Sequence, residues 1–247
     1  MTKEEVLQKC KVEGKIIKLP SEQLDRKIYM DVAKSLELIG GKWKGGKVMG
    51  FVFNEDPTEL LSQIANGEKR NLKKEFQFFA TPESLCNELV ELAELNNYHT
   101  IMEPSAGQGA IIKAIHKIVP NVIVDCCEAM DMNQTFLKKL PNTNILCSDF
   151  LGLKAISSLK YDRIIANPPF SKNQDVDHVR EMFSHLKSNG RLVSITSKHW
   201  QMSSNKKEVD FKNWLSDLGA QIIEVDAGEF KESGTSIATI IIVIDKH

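Results

Sequence analysis

The chain lacks several features that would place it in a specialised class of protein. Its five cysteines are odd in number and include no C-x-x-C pair, so the sequence predicts neither a disulfide framework nor a zinc ribbon. The first residues are charged and no window approaches 18 consecutive apolar residues, so we expect neither a signal peptide nor a membrane span. These absences predict a soluble protein of the reducing cytoplasm.

The chain also lacks a strong net charge. Its formal net charge of −1 argues against a protein that coats nucleic acid without specificity. The charges are spread unevenly, with 15 Lys and Arg against 12 Asp and Glu in residues 1–75, and 17 against 21 in residues 76–247. The front of the chain is therefore mildly basic, which leaves room for a local basic surface.

The length and composition suit one full domain with a smaller attachment. A chain of 247 residues with 42% hydrophobic content can bury the core of an α/β domain and has residues to spare. We place the boundary at the basic segment 69–75. Residues 1–75 are then expected to form a small N-terminal helix-hairpin-helix extension, a candidate for substrate recognition, and residues 76–247 the main domain.

Sequence patterns predict the elements of the extension. Apolar residues at every fourth position between residues 24 and 36 predict a helix with Ser21 as its N-cap. A Gly-Gly turn within residues 42–53 predicts a short hairpin. Asp56, followed by a proline, predicts the cap of a second helix.

The predicted hairpin is both basic and aromatic, and two interpretations of it stay open. Its lysines and rings suit contact with the phosphates and bases of nucleic acid. Alternatively, strand alternation leaves the lysines solvated and buries the phenylalanines on one face. The residues concerned are Lys42, Trp43, Lys44, Lys47, Phe51 and Phe53.

After the boundary, helical and strand patterns alternate. Strands are predicted near residues 99–102, 122–127, 144–147, 162–166, 191–196, 221–226 and 237–244. Alternating βα units imply a doubly wound, mostly parallel seven-stranded sheet, which binds ligands beyond the carboxyl ends of its strands. The connection before the last strand is too short and polar for a crossover helix, so we expect that strand to be antiparallel.

The most informative motif follows the predicted fourth strand. Pro168 and Pro169 fix their own φ at about −65° and keep Asn167 out of the α region, so a carboxamide and the Pro168 carbonyl are held rigidly at a strand end. Both groups accept hydrogen bonds, and Phe170 offers a flat face beside them. An exocyclic NH₂ group on a planar base complements this arrangement. The alternative is an ordinary turn, which Asn-Pro also commonly starts.

A glycine-rich turn follows the predicted first strand. Glu103 ends the strand, and the turn that follows contains Ser105, Gly107 and Gly109, which let backbone approach a ligand closely. The third glycine of a dinucleotide fingerprint is replaced by Ile112. That replacement disfavours NAD but not a ligand without pyrophosphate, such as S-adenosylmethionine.

The next two strand ends also carry acids. Glu128 stands 25 residues after Glu103, where a carboxylate can accept both ribose hydroxyls. Asp149 supplies an acceptor for an adenine amine, and Phe150 a ring to stack on it. Each acid has an ordinary alternative, Glu128 as a solvated helix start and Asp149 as a loop cap. Three such ends in succession, followed by the Asn167 turn, favour one binding site.

Together with the segment Phe79–Pro82, these motifs resemble those of the N6-adenine DNA methyltransferases, a family of class I S-adenosylmethionine-dependent enzymes. The resemblance covers about residues 76–244. The resemblance implies a Rossmann-like fold, S-adenosylmethionine as cofactor and DNA as partner. In that family the Phe-x-Thr-Pro segment helps to hold the methionine end of the cofactor, which implies such a role for Phe79 and Thr81. A helix N-cap is the alternative role for Thr81.

The chain departs from restriction-type members of that family. They carry a large recognition domain after the catalytic turn, whereas only the segments 171–190 and 197–220 are available here. The segments Gln23–Arg26 and Gly40–Trp43 at the front of the chain resemble the leader of compact, phage-like methyltransferases. Residues 171–174 and 198–200 are expected to border the target pocket.

The resemblance implies a mechanism without a metal. Asn167 Oδ1 and the Pro168 carbonyl would each accept one N–H of the adenine amine, and Phe170 would stack on the flipped base. The helical histidines lack metal-ligand spacing, so surface or capping roles are expected for His116, His178 and His185. Methylation of RNA guanine N2 or adenine N6, methylation of protein glutamine N5, and silent binding of nucleic acid stay open as alternatives.

Overall fold

The computed structural model describes residues 1–53, 56–68, 81–152, 158–226, 229 and 238–247. The chain divides into two compact units, Met1–Gln77 and Phe78–His247. Within the described ranges, no helix is long and apolar enough to cross a membrane.

The N-terminal unit combines helices with a four-stranded antiparallel sheet in the order β1-β2-β4-β3. Its helices are α1 (Lys3–Lys9), α2 (Arg26–Leu38) and α3 (Thr58–Ala65). Its strands are β1 (Lys11–Glu13), β2 (Ile16–Lys18), β3 (Lys42–Lys44) and β4 (Gly50–Val52). The predicted hairpin is confirmed as β3 and β4, whereas α1, β1 and β2 were not predicted.

Two details of this unit correct or support the sequence interpretation. Helix α2 begins one residue after Asp25, whose Oδ1 accepts from the backbone amides of Lys27 and Ile28, so Ser21 is not its N-cap. In the sheet, Phe51 and Phe53 are buried while the hairpin lysines are exposed, as strand alternation predicts. One face of the sheet therefore belongs to the core.

The C-terminal unit contains a seven-stranded sheet in the order β10-β11-β9-β8-β5-β6-β7. Its strands are β5 (Ile101–Glu103), β6 (Val124–Cys127), β7 (Thr143–Cys147), β8 (Tyr161–Ala166), β9 (Leu186–Ser197), β10 (Gln221–Glu224) and β11 (Thr239–Lys246). Pairs among β5 to β9 are parallel, and β11 is antiparallel to both β9 and β10. The predicted doubly wound sheet with an antiparallel last strand is confirmed.

Helices cover this sheet on both faces. They are α4 (Glu83–Leu92), α5 (Ala110–Ile118), α6 (Asp131–Leu137), α7 (Gln174–Ser184), α8 (His199–Met202) and α9 (Lys206–Asp217). Strand alternation in β8 sends Ile165 into the apolar cluster of α4 and α5, and Ile164 and Ala166 into the cluster of α7 and α9. Burial on both faces explains why the strands are nearly continuous apolar runs.

The strand order creates one switch point. From β5 the chain moves to β6 and β7 on one side, and then to β8 and β9 on the other side of β5. In doubly wound sheets, ligands bind beyond the carboxyl ends of the strands at such a point. Here the two strands that meet there, β5 and β8, are followed by the glycine-rich turn and by the Asn167 turn.

Candidate active site

Asn167 lies directly after β8 and presents a free acceptor. Its Nδ2 donates to Thr81 Oγ1 at 3.0 Å, which fixes the orientation of the carboxamide. Its Oδ1 is buried and has no hydrogen-bond partner among the described residues. A buried acceptor left unpaired costs about 1–3 kcal/mol, so this atom is poised to accept an N–H from a ligand.

Thr81 is therefore a partner of Asn167 rather than a helix cap. Helix α4 begins at Glu83, and Pro82 occupies the cap position without a side-chain hydrogen bond. The N-cap alternative for Thr81 is wrong, and its hydroxyl instead supports the amide of Asn167. Phe79, the other residue expected at the cofactor in this segment, lies outside the described residues.

The rest of the proline turn forms a wall beside Asn167. Pro168 is buried, while Pro169 and Phe170 are half-buried. Phe170 packs on the apolar cluster of α4 and α5 and is half-buried. This arrangement suits a flat surface for a planar ligand.

The glycine-rich turn has the backbone that its sequence predicts. Gly107 and Gly109 have φ of 53° and 77°, a left-handed region that other residues rarely adopt. A Cβ on Gly109 would also come within 3.1 Å of Leu137 Cδ2. The left-handed backbone therefore requires glycine at both positions, and the side-chain ends of Leu137 and Leu140 leave little room for a Cβ at Gly109. Ser105, in the same turn, is half-buried, and its Oγ lies 3.5 Å from His178 Nδ1.

Glu103 is a buried acid at the end of β5. Only 2% of the residue is exposed, and its Oε2 has no hydrogen-bond partner within the described part of the chain. Burial, and then the nearby charge of Glu128, raise its pKa well above the usual value, while a hydrogen bond from the Ile112 backbone amide acts in the opposite direction. A cationic ligand group would relieve this carboxyl of its unfavourable surroundings.

Glu128, at the end of β6, is a buried acid that the protein already satisfies. Its Oε2 accepts from the backbone amide of Gly107 at 2.7 Å, and its Oε1 accepts from the backbone of Met130 at 2.8 Å and from Asn133 Nδ2 at 3.1 Å. Burial raises its pKa, although these hydrogen bonds lower it in part. The solvated alternative for Glu128 is therefore wrong. The carboxylate ties the glycine-rich turn to the neighbouring strand end.

The third strand end differs from the expectation. Asp149 is exposed, and its Oδ1 caps the following turn by accepting from the Leu151 backbone amide at 3.1 Å. The ring of Phe150 lies instead in the core, where it contacts His178 and His185 and stays only 2% exposed. Because its ring is buried, Phe150 does not present a face on which adenine could stack, whereas Asp149 is accessible to a ligand.

His178 lies next to the glycine-rich turn, a position that the sequence did not predict. This histidine on α7 is buried between the ring of Phe150 and the hydroxyl of Ser105. Burial lowers its pKa to about 4, against the smaller effects of Asp149 and Asp177, so it is neutral at physiological pH. His178 therefore joins the glycine-rich turn to the helix that follows the proline turn, and the expected surface role is wrong. His185 is buried as well.

Glu208 was also missed, and it joins the two segments expected to border the pocket. Its Oε1 accepts from Asn173 Nδ2 at 2.6 Å and lies 3.1 Å from His199 Nδ1. Lys172 and Asn173 both have positive φ, 55° and 58°, a strained backbone just after the proline turn. The spacing Asn205-x-x-Glu208 fits a capping box, but the side chain of Asn205 makes no capping hydrogen bond, so the sequence carries no signal for the contact with Asn173. Trp200, expected at the pocket, is buried in the core instead.

The described residues contain no cluster of three or more His, Cys, Asp or Glu side chains that could hold a metal ion. The switch point brings together oriented hydrogen-bond acceptors. Asn167 Oδ1 and Glu103 Oε2 are both buried without described partners, at the ends of adjacent strands. Such a site can bind a ligand that brings several N–H groups.

Comparison with known proteins is consistent with this geometry. Residues 86–215, just over half of the chain, match the family described as Methyltransferase small domain. No curated protein matches the chain significantly.

Three solved structures share the fold. The M protein of the type I restriction enzyme EcoKI has a TM-score of 0.59 and 15% identity over 91% of this chain and 51% of its own. The type I restriction-modification methyltransferase subunit of Streptococcus thermophilus has a TM-score of 0.60 and 19% identity, over 76% and 48%. A putative RNA methyltransferase from Pyrococcus horikoshii has a TM-score of 0.50 and 16% identity, over 69% and 88%. This chain spans about half the length of the two type I subunits.

Proposed function

Because the chain belongs to the Methyltransferase small domain family, and is an S-adenosylmethionine-dependent methyltransferase of Rossmann-like fold, we propose that it methylates the N6 amine of adenine in DNA. The observation that carries this proposal is the Oδ1 of Asn167, which is buried in a proline-locked turn without a hydrogen-bond partner in the described part of the chain. An exocyclic amine is the group that such an acceptor suits, because it brings two N–H donors in one plane.

The residues at the switch point fit the cofactor. S-adenosylmethionine supplies an electrophilic methyl carbon on a sulfonium centre. Glu103 Oε2, buried without a described partner, suits the ammonium of its methionine end. The left-handed backbone of Gly107 and Gly109 allows close approach. Asp149 is exposed to accept from the adenine amine, and Glu128, which accepts three hydrogen bonds from the protein, has one acceptor position left for a ribose hydroxyl.

The target amine needs orientation because its lone pair is delocalised into the ring. Asn167 Oδ1 and the Pro168 carbonyl each accept one N–H, which aims the lone pair out of the plane of the base. The same two acceptors stabilise the positive charge that develops on nitrogen during transfer. Both are held in place before the substrate arrives, Asn167 through Thr81 and Pro168 through its ring.

Phe170 supports the base from its face. The residue packs on the apolar cluster of α4 and α5 and is half-buried, so stacking requires no rearrangement. In duplex DNA the adenine has to leave the stack to reach a turn of this kind. Lys172, Asn173 and His199 stand on the segments that Glu208 joins, and we assign them to the border of the base pocket.

The proposal is tested by offering methyl-labelled S-adenosylmethionine with separate pools of unmethylated DNA, RNA and protein. We expect label in DNA, recovered after digestion as N6-methyladenine, and no label with Asn167→Ala. Label in RNA alone, or on glutamine of a protein, would assign the enzyme to another substrate class. Cofactor binding without transfer to any pool would contradict an active enzyme.

A further inference from the structure

One face of the N-terminal sheet carries a cluster of lysines. In the antiparallel register Lys11 stands opposite Lys18, and Lys42 and Lys44 lie two residues apart on β3. Strand alternation places these four residues on the same side of the sheet, together with Glu13. We call this side the lysine face (Lys11, Lys18, Lys42 and Lys44).

The lysine face is the solvent side of the sheet. The opposite side carries Ile17 and Phe51, which are buried in the core, and Trp43, whose ring packs edge-on against Phe51 at 5.2 Å. On the lysine face, Lys11, Lys42 and Lys44 are exposed and Lys18 is half-buried. The sheet therefore separates an apolar layer from a charged one.

Positive charge predominates on this face, because Lys11 and Lys44 form no ion pair within the described part of the chain. Among the described residues of the four strands, Glu13 is the acid, and it pairs with Lys18 at 2.7 Å. Like charges directly opposite each other on paired strands destabilise a sheet, and Lys11 and Lys18 are such a pair. A polyanion bound to this face would attract the lysines and screen the repulsion between them.

The side chains of the face also indicate which polyanion fits. Single-stranded nucleic acid is generally held by aromatic platforms on which its bases stack. Here the exposed ring of Trp43 belongs to the opposite side, and the remaining strand residues of the lysine face are Glu13, Ile16, Gly50 and Val52. Lysines without stacking rings suit the phosphates of a double helix, which they contact as point charges.

We propose that the lysine face binds the phosphate backbone of double-stranded DNA. This proposal rests on the proposed function, because it supplies the methyltransferase unit with its substrate. Both units belong to one chain, so a duplex held by the N-terminal unit is present at high effective concentration for the C-terminal unit. Phosphate contacts carry no sequence information, so the face adds affinity rather than specificity.

The test compares two doubly substituted full-length proteins. Lys11→Gln with Lys44→Gln removes two charges from the lysine face. Lys27→Gln with Lys34→Gln removes two exposed charges from α2 in the same unit and serves as the matched control. The binding of a labelled 20-base-pair duplex is measured by fluorescence anisotropy between about 50 and 200 mM salt.

We expect the lysine-face variant to bind the duplex more weakly at low salt, with a slope of log K against log salt reduced by about 1.8. The control variant should keep the wild-type slope, and both should retain the wild-type unfolding temperature and affinity for S-adenosylmethionine. Equal slopes for the two variants would overturn the proposal, as would tighter binding of RNA of the same sequence.

Failure of this proposal and failure of the proposed function are distinguishable. If the wild-type protein methylates DNA while the lysine-face variant binds DNA as the control does, the lysine face does not bind the duplex, but the proposed activity is supported. If the wild-type protein binds duplex through the lysine face but labels only RNA or protein, the contact stands and the assigned substrate is wrong.

Discussion

The carboxyl ends of β6 and β8 make opposite use of their polar side chains. At the end of β6, Glu128 accepts three hydrogen bonds from the protein, from Gly107, Met130 and Asn133. At the end of β8, Asn167 donates once to Thr81 and leaves its Oδ1 buried without a described partner. Both groups follow strands of the same sheet, but only Asn167 has a buried oxygen without a described hydrogen-bond partner.

This difference separates two roles that the sequence alone does not distinguish. A buried acceptor whose two oxygens both accept hydrogen bonds from the protein stabilises the surrounding backbone, here the glycine-rich turn. A buried acceptor that is unpaired costs stability in the free protein and returns it when a ligand donates. We therefore expect substitutions at Asn167 to act on turnover, and substitutions at Glu128 to act on folding and cofactor affinity together.

The largest effect is expected for Asn167→Ala. Loss of one preorganised group that stabilises transition-state charge lowers kcat by about 100- to 1,000-fold in other enzymes. Asn167 Oδ1 has no described partner to lose, but the variant also removes the hydrogen bond from Nδ2 to Thr81 Oγ1, so the unfolding temperature should fall slightly while the affinity for S-adenosylmethionine stays close to wild type. Single-turnover kinetics with labelled cofactor, and equilibrium binding of the cofactor, measure the two quantities separately.

Thr81→Val is the matched control for this variant. It removes the acceptor of Asn167 Nδ2 but leaves the Oδ1 acceptor in place, so a smaller loss of kcat is expected. Equal losses for the two variants would indicate that orientation of the amide, rather than its oxygen, carries the effect. Wild-type turnover in Asn167→Ala would remove Asn167 from the mechanism altogether.

The second prediction concerns Glu128. Glu128→Ala leaves three buried donors without their acceptor, at a cost of roughly 2 kcal/mol or more in the free energy of unfolding. Glu128→Gln should be nearly as harmful, because its NH₂ group must face a backbone N–H. Denaturant unfolding and cofactor titration check whether both quantities fall together. Weaker cofactor binding at unchanged stability would show that Glu128 serves the ligand alone.

Much of the fold could be predicted from sequence because local signals agreed with the tertiary arrangement. Strands buried on both faces are apolar runs such as the one that ends at Ala166, and the turns at their ends use the glycines and prolines that the backbone requires. All four strands of the small sheet contain three residues, too few to show an alternation, and only β3 and β4 are separated by a Gly-Gly turn that predicts a hairpin. The local sequence patterns therefore predict the seven-stranded sheet but only two of the four strands of the small sheet.

The parts of the site that sequence missed depend on contacts between distant residues. Glu208 meets Asn173 across 35 positions, and Ser105 meets His178 across 73. No local pattern states which helix packs over which turn. Phe150 shows the converse error, because an aromatic residue after a strand end fits a stacking role and a core role equally well until its neighbours, His178 and His185, are known.

A smaller effect is expected for Glu208, which holds Asn173 after the proline turn. Glu208→Ala should release this strained segment and raise KM for DNA roughly tenfold, which corresponds to about 1.4 kcal/mol. The affinity for S-adenosylmethionine should not change. Glu208→Gln keeps an oxygen that can accept from Asn173 and should recover most of the loss. A fall in kcat with unchanged KM, or no recovery by glutamine, would contradict a positioning role.

The smallest effect is expected for His178, and it depends on pH. Burial lowers the pKa of His178 to about 4 in the folded chain, against a usual value of 6.5, so the unfolded chain binds more protons between these values. Stability contributed by the neutral ring is therefore complete above pH 6.5 and lost as pH falls towards 4, by roughly 1 kcal/mol at pH 5.5.

His178→Gln removes this titration while keeping a polar group beside Ser105. Denaturant midpoints measured from pH 7.5 to 5 should fall more steeply for wild type than for the variant. The raised pKa of Glu103 acts in the opposite direction, since its folded form gains a proton as pH falls, and it contributes equally to both proteins. Parallel curves would therefore mean that the pKa of His178 is the same in the folded and the unfolded chain, which contradicts the effect expected from its burial against Phe150.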